Sequence, residues 1–152
     1  MFDIENYYEF LEKTLKDKPI VLAGRTASNY LGMTLNINCD IEVYVEEYQK
    51  DLDLLSFDIY EFKQYLIKDF ARLDFIIING IKCTSINKTI IDLLKIVRKE
   101  SFEMEYLIDA LSFYKGQFGN FQTLKIPKKY RLDFQNAIEE MEEYNYGKLK
   151  AR

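Results

Sequence analysis

Histidine is absent from this sequence of 152 residues, and glycine (6), proline (2) and cysteine (2) are scarce. Without histidine the chain cannot carry a Ser-His-Asp or Cys-His catalytic site or an imidazole metal site. An enzyme built on it would have to use carboxylates, lysine, arginine or tyrosine. Little glycine and proline, together with 15% aromatic residues, excludes disorder over most of the length.

Secretion and membrane insertion are also poorly supported. Cys39 and Cys83 have no second thiol near either of them, which excludes a zinc knuckle or a CxxC redox pair. The first ten residues carry three acids and no base, the wrong charge for a signal peptide. Apolar runs such as residues 76–78 are far too short to cross a bilayer. We expect a reduced, cytoplasmic protein that does not contact a membrane.

The N-terminal half is predicted to form a helix followed by short strands. Apolar residues at helical spacing predict an amphipathic helix over residues 4–17. A short buried strand at 20–23 turns at Gly24 into a brief helix, which Thr26 can cap. Alternating apolar and polar residues predict a strand at 41–45, with one buried and one solvent-facing side, and the same alternation recurs at Leu55, Phe57 and Ile59.

The C-terminal half is predicted to form a hairpin and three helices. The pair Asn79-Gly80 suits a type I′ turn between strands at 75–78 and 81–83. Ser85 and Ser101 can each cap a helix, and the second is predicted to break at Gly116 and Gly119. The buried positions of these two helices are predicted to be Ile86, Ile90, Leu93, Leu94, Val97, Leu107, Ile108, Leu111 and Tyr114.

The last helix is predicted to start near Pro127 and to pack Phe134, Ile138 and Met141. Its exposed side carries Glu139, Glu140, Glu142 and Glu143. The order of elements predicts an α+β fold, with a small mixed or antiparallel sheet between an N-terminal helix and three C-terminal helices. We predict one domain over residues 1–147 and a frayed tail at 148–152.

Negative charge is concentrated in residues 40–61, the acidic segment. It holds eight acids and one base, a net of minus seven, whereas the whole chain is minus four. Such a segment repels nucleic-acid phosphates and favours a basic partner, although it can also be a solvated face. If the protein acts by contact, we predict that it binds the basic surface of a protein partner through Glu46, Glu47, Asp51 and Asp53.

One group of residues suggests nucleotide chemistry. Gly24-Arg25 form a turn before a helix, Asp40 and Glu42 lie two apart on a strand, and Asp74 begins a later strand. Acids at i and i+2 share a face and can hold a divalent cation, and a glycine turn can approach a phosphate. The pattern resembles minimal nucleotidyltransferases, with Asp40, Glu42 and Asp74 as catalytic residues and Mg²⁺ as cofactor. Alternatively, Gly24 serves only the turn and Glu42 faces solvent.

A second pattern covers more of the chain. It joins residues 26–33 (TASNYLGM), the strand at 41–45 and residues 79–94 (NGIKCTSINKTIIDLL). This resembles the C-terminal domain of AbiEi-type antitoxins, of the type IV toxin-antitoxin family. In that domain a short helix ending in Leu-Gly precedes a strand, and a hairpin leads into a helix beginning with Ser, Glu-Arg-Thr and Asp-Leu-Leu. The resemblance spans about residues 20–114, with Asn87-Lys88 where Glu-Arg is usual.

The AbiEi resemblance implies a non-catalytic antitoxin of a bacterial or mobile-element toxin or defence system, such as an abortive-infection system that defends against phage, and it implies that the antitoxin counteracts a nucleotidyltransferase-type toxin. It implies no cofactor. With one helix before residue 20, the chain lacks the family's N-terminal winged helix, so specific DNA binding is not expected. Two alternatives stay open. One is a stand-alone, phage-encoded inhibitor that mimics a nucleic acid with its acids, and the other is a divergent nucleotidyltransferase.

Overall fold

A computed structural model describes residues 4–37, 40–50, 61–100 and 103–150. The helices are α1 Ile4–Leu15, α2 Gly24–Tyr30, α3 Ile86–Lys99, α4 Met104–Phe118 and α5 Arg131–Lys150. The strands are β1 Ile20–Leu22, β2 Asp40–Val45, β3 Glu61–Leu66, β4 Phe75–Ile78 and β5 Ile81–Thr84. Short 3₁₀ turns span Phe70–Arg72 and Lys128–Tyr130. The predicted α+β fold class, with a helix, then a sheet, then three helices, is confirmed.

The five strands form one mixed sheet in the order β3-β2-β1-β5-β4. Central β1 runs antiparallel to β2 and parallel to β5, and every residue of β1 is buried. β2 is parallel to β3, and β4 is antiparallel to β5. A continuously apolar strand suits this central position, because both of its faces are covered. β3 and β4 are the edges of the sheet.

One face of the sheet packs against α1. Of the predicted stripe Ile4, Tyr8, Leu11 and Leu15, the structure buries Leu11 and Leu15, but Tyr7 is buried in place of Tyr8, which is only partly buried, and the side chain of Ile4 lies outside the described residues. The buried residues of this core are Tyr7, Leu11, Leu15, Ile20, Leu22, Ala27, Ile41, Val43, Val45, Ile81 and Cys83. Truncating a fully buried leucine such as Leu11 to alanine should therefore cost about 2–5 kcal/mol.

The three C-terminal helices form a second core with Met33. Its buried residues are Met33, Ile90, Leu93, Leu94, Val97, Leu107, Ala110, Leu111, Tyr114, Leu124, Tyr130, Phe134, Ala137 and Met141. The predicted inward positions of α3, α4 and α5 are thus confirmed, with Ile86, Ile108 and Ile138 only partly buried. Leu31, at the end of α2, packs against both cores and connects the sheet to the helices.

The hairpin and the start of α3 follow the sequence signals closely. Asn79 and Gly80 have φ values of 50° and 79°, as a type I′ turn requires, and they join β4 to β5 as predicted. A Cβ on Gly80 would lie 2.8 Å from Cγ of Lys16, so this position also favours a residue without a side chain. Ser85 caps α3 by accepting a hydrogen bond from the backbone N–H of Lys88 at 3.1 Å.

Other predicted boundaries are wrong or displaced. Thr26 does not cap α2, which begins at Gly24, because its hydroxyl accepts from the N–H of Glu42 at 3.0 Å instead. α4 continues through Gly116 and ends only at Gly119, where φ is 80°. After Pro127 comes a 3₁₀ turn, and α5 begins at Arg131.

Two further differences concern β3 and the C-terminus. β3 was not among the predicted strands, and α5 is helical to Lys150, past the predicted end of the domain at residue 147. The predicted strand at Leu55, Phe57 and Ile59 and the cap at Ser101 lie outside the described residues. No helix in the described part of the chain has the length and apolar character needed to cross a membrane.

Candidate functional site

A pocket of about 370 Å³ lies between α3 and the sheet face opposite α1. The turn between β1 and α2 closes one side, β2 and β3 form its floor, and α3 forms its wall. The lining residues are Ala23, Gly24, Arg25, Glu42, Tyr44, Lys63, Tyr65, Asp92, Lys95, Ile96, Lys99 and Glu100. The residues with the nucleotidyltransferase spacing at positions 24, 25 and 42 therefore share one cavity.

Glu42 is the centre of this pocket. Only 1% of it is exposed, so the alternative that it faces solvent from an alternating strand is wrong. Its Oε1 accepts from the backbone N–H of Arg25 at 2.9 Å and from Nε of Arg25 at 3.0 Å. Its Oε2 accepts from Nη2 of Arg25 and from the hydroxyl of Tyr65, both at 3.3 Å. Four donors thus surround one buried carboxylate.

Gly24 permits this close approach. Its φ is +53°, and a Cβ at this position would lie 3.1 Å from Oε1 of Glu42 and 3.3 Å from Cδ1 of Ile96. Glycine is therefore required both by the backbone conformation and by the carboxylate beside it. The turn that was predicted as a possible phosphate approach is filled by the chain's own acid.

Arg25 bonds to a second carboxylate as well. Its Nη1 donates to Oε1 of Glu103 at 2.8 Å, so one guanidinium joins α2, β2 and the residue preceding α4. Burial alone would lower the pKa of Arg25, but the hydrogen bond and charge of Glu42, with the charges of Glu103 and Glu100, raise it above its ordinary value. Arg25 is therefore a permanent cation with fixed partners.

A second polar cluster links β2 to α3. The hydroxyl of Tyr44 donates to Oδ2 of Asp92 at 2.9 Å, and Nζ of Lys88 donates to Oδ1 of Asp92 at 2.8 Å. Burial, followed by the charge and hydrogen bond of Asp92, raises the pKa of Tyr44 well above its usual range. Burial and Glu42 raise the pKa of Tyr65 to about 12. Both tyrosines therefore act as neutral hydrogen-bond donors at physiological pH.

The three acids with nucleotidyltransferase spacing are not brought together. Asp40 shares the face of Glu42 but pairs with Nζ of Lys63 at 3.2 Å. Asp74 precedes β4 and accepts from Oγ of Ser85 at 2.6 Å. Because three strand spacings separate β2 from β4, Asp74 lies about 14 Å from the other two.

These residues do not fit the magnesium ion that the nucleotidyltransferase resemblance implies. Arg25 and Tyr65 already use both oxygens of Glu42, and Asp74 is across the sheet. Within the described ranges, no three acidic or cysteine side chains are grouped so that they could hold a metal ion.

Two of the four predicted contact residues lie at the end of β2. Glu46 and Glu47 directly follow the strand and are exposed. Asp51 and Asp53 lie outside the described residues. In the structure, then, this part of the acidic segment is separate from the pocket, in which Glu42 and Asp92 are buried and paired and Glu100 is exposed.

Sequence reasoning missed most of the pocket's polar partners. The Lys88–Asp92 ion pair had a readable signal, because its residues are four apart on a helix. Tyr44 and Tyr65 had none, since their hydroxyls meet acids 48 and 23 positions away along the chain.

Comparison with known protein families, with curated proteins and with solved structures found no match for this chain.

Proposed function

We propose that this protein is a non-catalytic, antitoxin-like protein that counteracts a nucleotidyltransferase-type toxin by contact. The observation that carries the proposal is the Arg25–Glu42 pair. In a nucleotidyltransferase with this strand-turn-helix pattern, the carboxylate would be free to bind a cation and the glycine turn would be free to bind a phosphate. Here Arg25 binds the carboxylate of Glu42, and that carboxylate lies against the turn at Gly24. A site arranged in this way supports structure rather than group transfer.

The chemistry of the pair supports this interpretation. Metal-assisted transfer needs carboxylates whose lone pairs face the ion, and here a guanidinium takes the lone pairs of a carboxylate that is 1% exposed. The pair also joins α2 to β2 and, through Glu103, to the start of the helical half. Its contribution is to hold one rigid shape for contact with a partner.

The order of elements supports the antitoxin class. A short helix precedes Gly32, a strand follows at β2, and the β4–β5 hairpin leads into α3 behind its Ser85 cap. This is the order on which the AbiEi resemblance depends. Residues 87 and 88 depart from the usual Glu-Arg, and Lys88 instead pairs with Asp92.

A growth assay tests the proposal. A nucleotidyltransferase toxin encoded beside this chain would be expressed in bacteria with and without it, and we expect the chain to restore growth. The Arg25→Met variant, checked for folding by circular dichroism, should lose protection only to the extent that it unfolds. No protection by folded wild-type protein would contradict the proposal.

Exposed acids favour a second candidate, inhibition of a nucleic-acid-handling enzyme by acidic mimicry. Glu46 and Glu47 are exposed and, among the described residues, form no ion pair. A protein that blocks a basic groove gains encounter rate from such charges. Competition with single-stranded DNA for the target enzyme would favour this candidate, whereas neutralisation of the toxin without such competition would favour the first.

A further inference from the structure

The outer edge of β4 is apolar and open. Its four residues, Phe75–Ile78, carry no charge, and Ile76 and Ile77 are 43% and 64% exposed. Among the described residues, β4 pairs with no strand except β5. Edge strands usually carry charges or proline that prevent pairing, and the opposite edge, β3, does carry Glu61 and Lys63. β4 has no such protection.

The backbone groups that point outward on β4 can be assigned. The N–H of Ser85 donates to the carbonyl of Asp74 at 3.0 Å, so position 74 bonds toward β5. Bonded and non-bonded pairs alternate along an antiparallel ladder, so Ile76 and Ile78 also bond toward β5. Phe75 and Ile77 therefore present their N–H and C=O groups outward, away from the sheet.

We propose that this edge pairs with β4 of a second copy of the chain, in an antiparallel arrangement about a two-fold axis. A two-fold axis perpendicular to the sheet places the same face of both copies on the same side of the joined sheet. Residues that lie opposite each other must therefore both have even numbers or both have odd numbers. With Ile76 opposite Ile76 of the second copy, Phe75 exchanges both hydrogen bonds with Ile77 of that copy, and Ile77 with its Phe75. All four outward residues are then paired.

The alternative registers are poorer. A shift of two residues in either direction places Phe75 or Ile77 opposite residue 79 or 73, outside the strand. The register centred on Ile76 also brings isoleucine against isoleucine on one face and phenylalanine against isoleucine on the other. Such β-branched and aromatic cross-strand pairs are favourable.

The self-complementary register and the charge distribution together favour a second copy as the occupant. The described acids of the acidic segment lie on or beside β2 and β3, at the other side of the sheet, so pairing through β4 keeps the two acidic regions apart. In the proposed register Asp74 lies opposite Ile78 of the second copy, so no like charges face each other across the new pair. A four-residue contact is small, and we expect a reversible dimer with a dissociation constant of roughly 0.1 mM.

Sedimentation equilibrium over a range of protein concentrations tests the association. We expect a monomer–dimer equilibrium in the wild type and at least a tenfold weaker one in Ile77→Lys. Leu132→Lys is the matched control, because Leu132 is 73% exposed on α5, away from this edge, and its substitution should change nothing. A wild type that stays monomeric at millimolar concentration, or an Ile77→Lys variant that dimerises normally, would overturn the proposal.

Disulfide cross-linking tests the register, and it keeps the test open if the lysine variant unfolds. Cys83 lies opposite Ile76 within the hairpin, so the background is Cys39→Ser/Cys83→Ala, confirmed to dimerise like the wild type. Ile76→Cys should give a disulfide-linked dimer on mild oxidation, since residues facing each other in a non-bonded pair have Cα atoms about 4.5 Å apart. Ile77→Cys, which lies opposite Phe75, should cross-link far less. Equal cross-linking of both variants would exclude this register.

Discussion

At the scale of single residues, the Arg25–Glu42 pair makes the strongest prediction. Both side chains are almost fully buried, and removing one partner leaves the other as an unpaired buried charge. Arg25→Met should therefore lower the free energy of unfolding by about 3–5 kcal/mol. Urea denaturation measures this loss.

Arg72→Met is the control for that measurement. The Arg72 side chain is 91% exposed and lies 4.0 Å from Asp69, so its loss should change the free energy of unfolding by less than about 0.5 kcal/mol. Equal stability of the two variants would mean that the buried pair contributes nothing beyond an ordinary surface contact.

The burial of Cys83 predicts that the free energy of unfolding decreases at alkaline pH. Burial raises the pKa of its thiol from 9.0 to about 12. Because the pKa is higher in the folded state, the stability contributed by the neutral thiol is complete below pH 9 and is lost as pH rises toward 12. Between pH 9 and 10 the free energy of unfolding should fall by about 1 kcal/mol more in Cys39→Ser than in Cys39→Ser/Cys83→Ala. Parallel pH profiles from urea denaturation would contradict this.

At the scale of elements, replacing two different glycines with alanine should change the stability of the protein in opposite directions. Gly80→Ala puts a side chain at φ +79° and against Lys16, and should cost about 1–2 kcal/mol. Gly116 lies inside α4 with nothing within 4 Å of an added Cβ, so Gly116→Ala should stabilise the protein by about 0.5–1 kcal/mol. Thermal denaturation of both variants tests the pair. A stabilising shift in Gly80→Ala would contradict the assignment of the turn, and a destabilising shift in Gly116→Ala would contradict the expected gain inside α4.

Elements with local signals were predictable from the sequence. The Asn-Gly turn, the Ser85 cap and the stripe at Ile90, Leu93 and Leu94 each depend on neighbours within a few positions. Gly116 was misread as a breaker because glycine weakens a helix by only about 1 kcal/mol, which the packing of Leu111 and Tyr114 offsets.

The site was less predictable because its contacts are long-range. The sequence places Gly24, Arg25 and Glu42 in one group, and the structure does bring them together. The sequence does not indicate that Arg25 turns back onto Glu42. An acid in an alternating strand gives the same sequence pattern whether its side chain faces water or a guanidinium. Thr26 was misassigned for the same reason, since its partner is the N–H of a residue 16 positions later.

At the scale of the whole molecule, charge reversal tests where the protein meets its partner. Glu46→Lys/Glu47→Lys should slow association with the partner strongly, and the effect should shrink as salt is added. Glu139→Lys/Glu140→Lys makes the same change in net charge on the exposed side of α5 and should have a much smaller effect. Stopped-flow association kinetics, or toxin neutralisation if the complex is short-lived, measures the difference. Equal effects of the two variants would show that only net charge matters.

A nucleotidyl-transfer assay tests the alternative that the protein is an enzyme. We expect no incorporation when the protein is incubated with Mg²⁺, each labelled NTP and total RNA, because Arg25 and Lys63 hold the acids that would bind the metal. Incorporation that disappears in Asp40→Ala and in Glu42→Ala would make the nucleotidyltransferase interpretation the leading one.

The parallel pairing of β1 with β5 also affects how the chain is made. Val21 pairs with Lys82, about 60 residues later, so the central strand emerges from the ribosome long before its second neighbour. At about 5–20 residues per second, this interval lasts roughly 3–12 s. During that time the fully apolar β1 has at least one open edge, so we expect chaperones to bind the nascent chain until the β4–β5 hairpin is synthesised and completes the sheet.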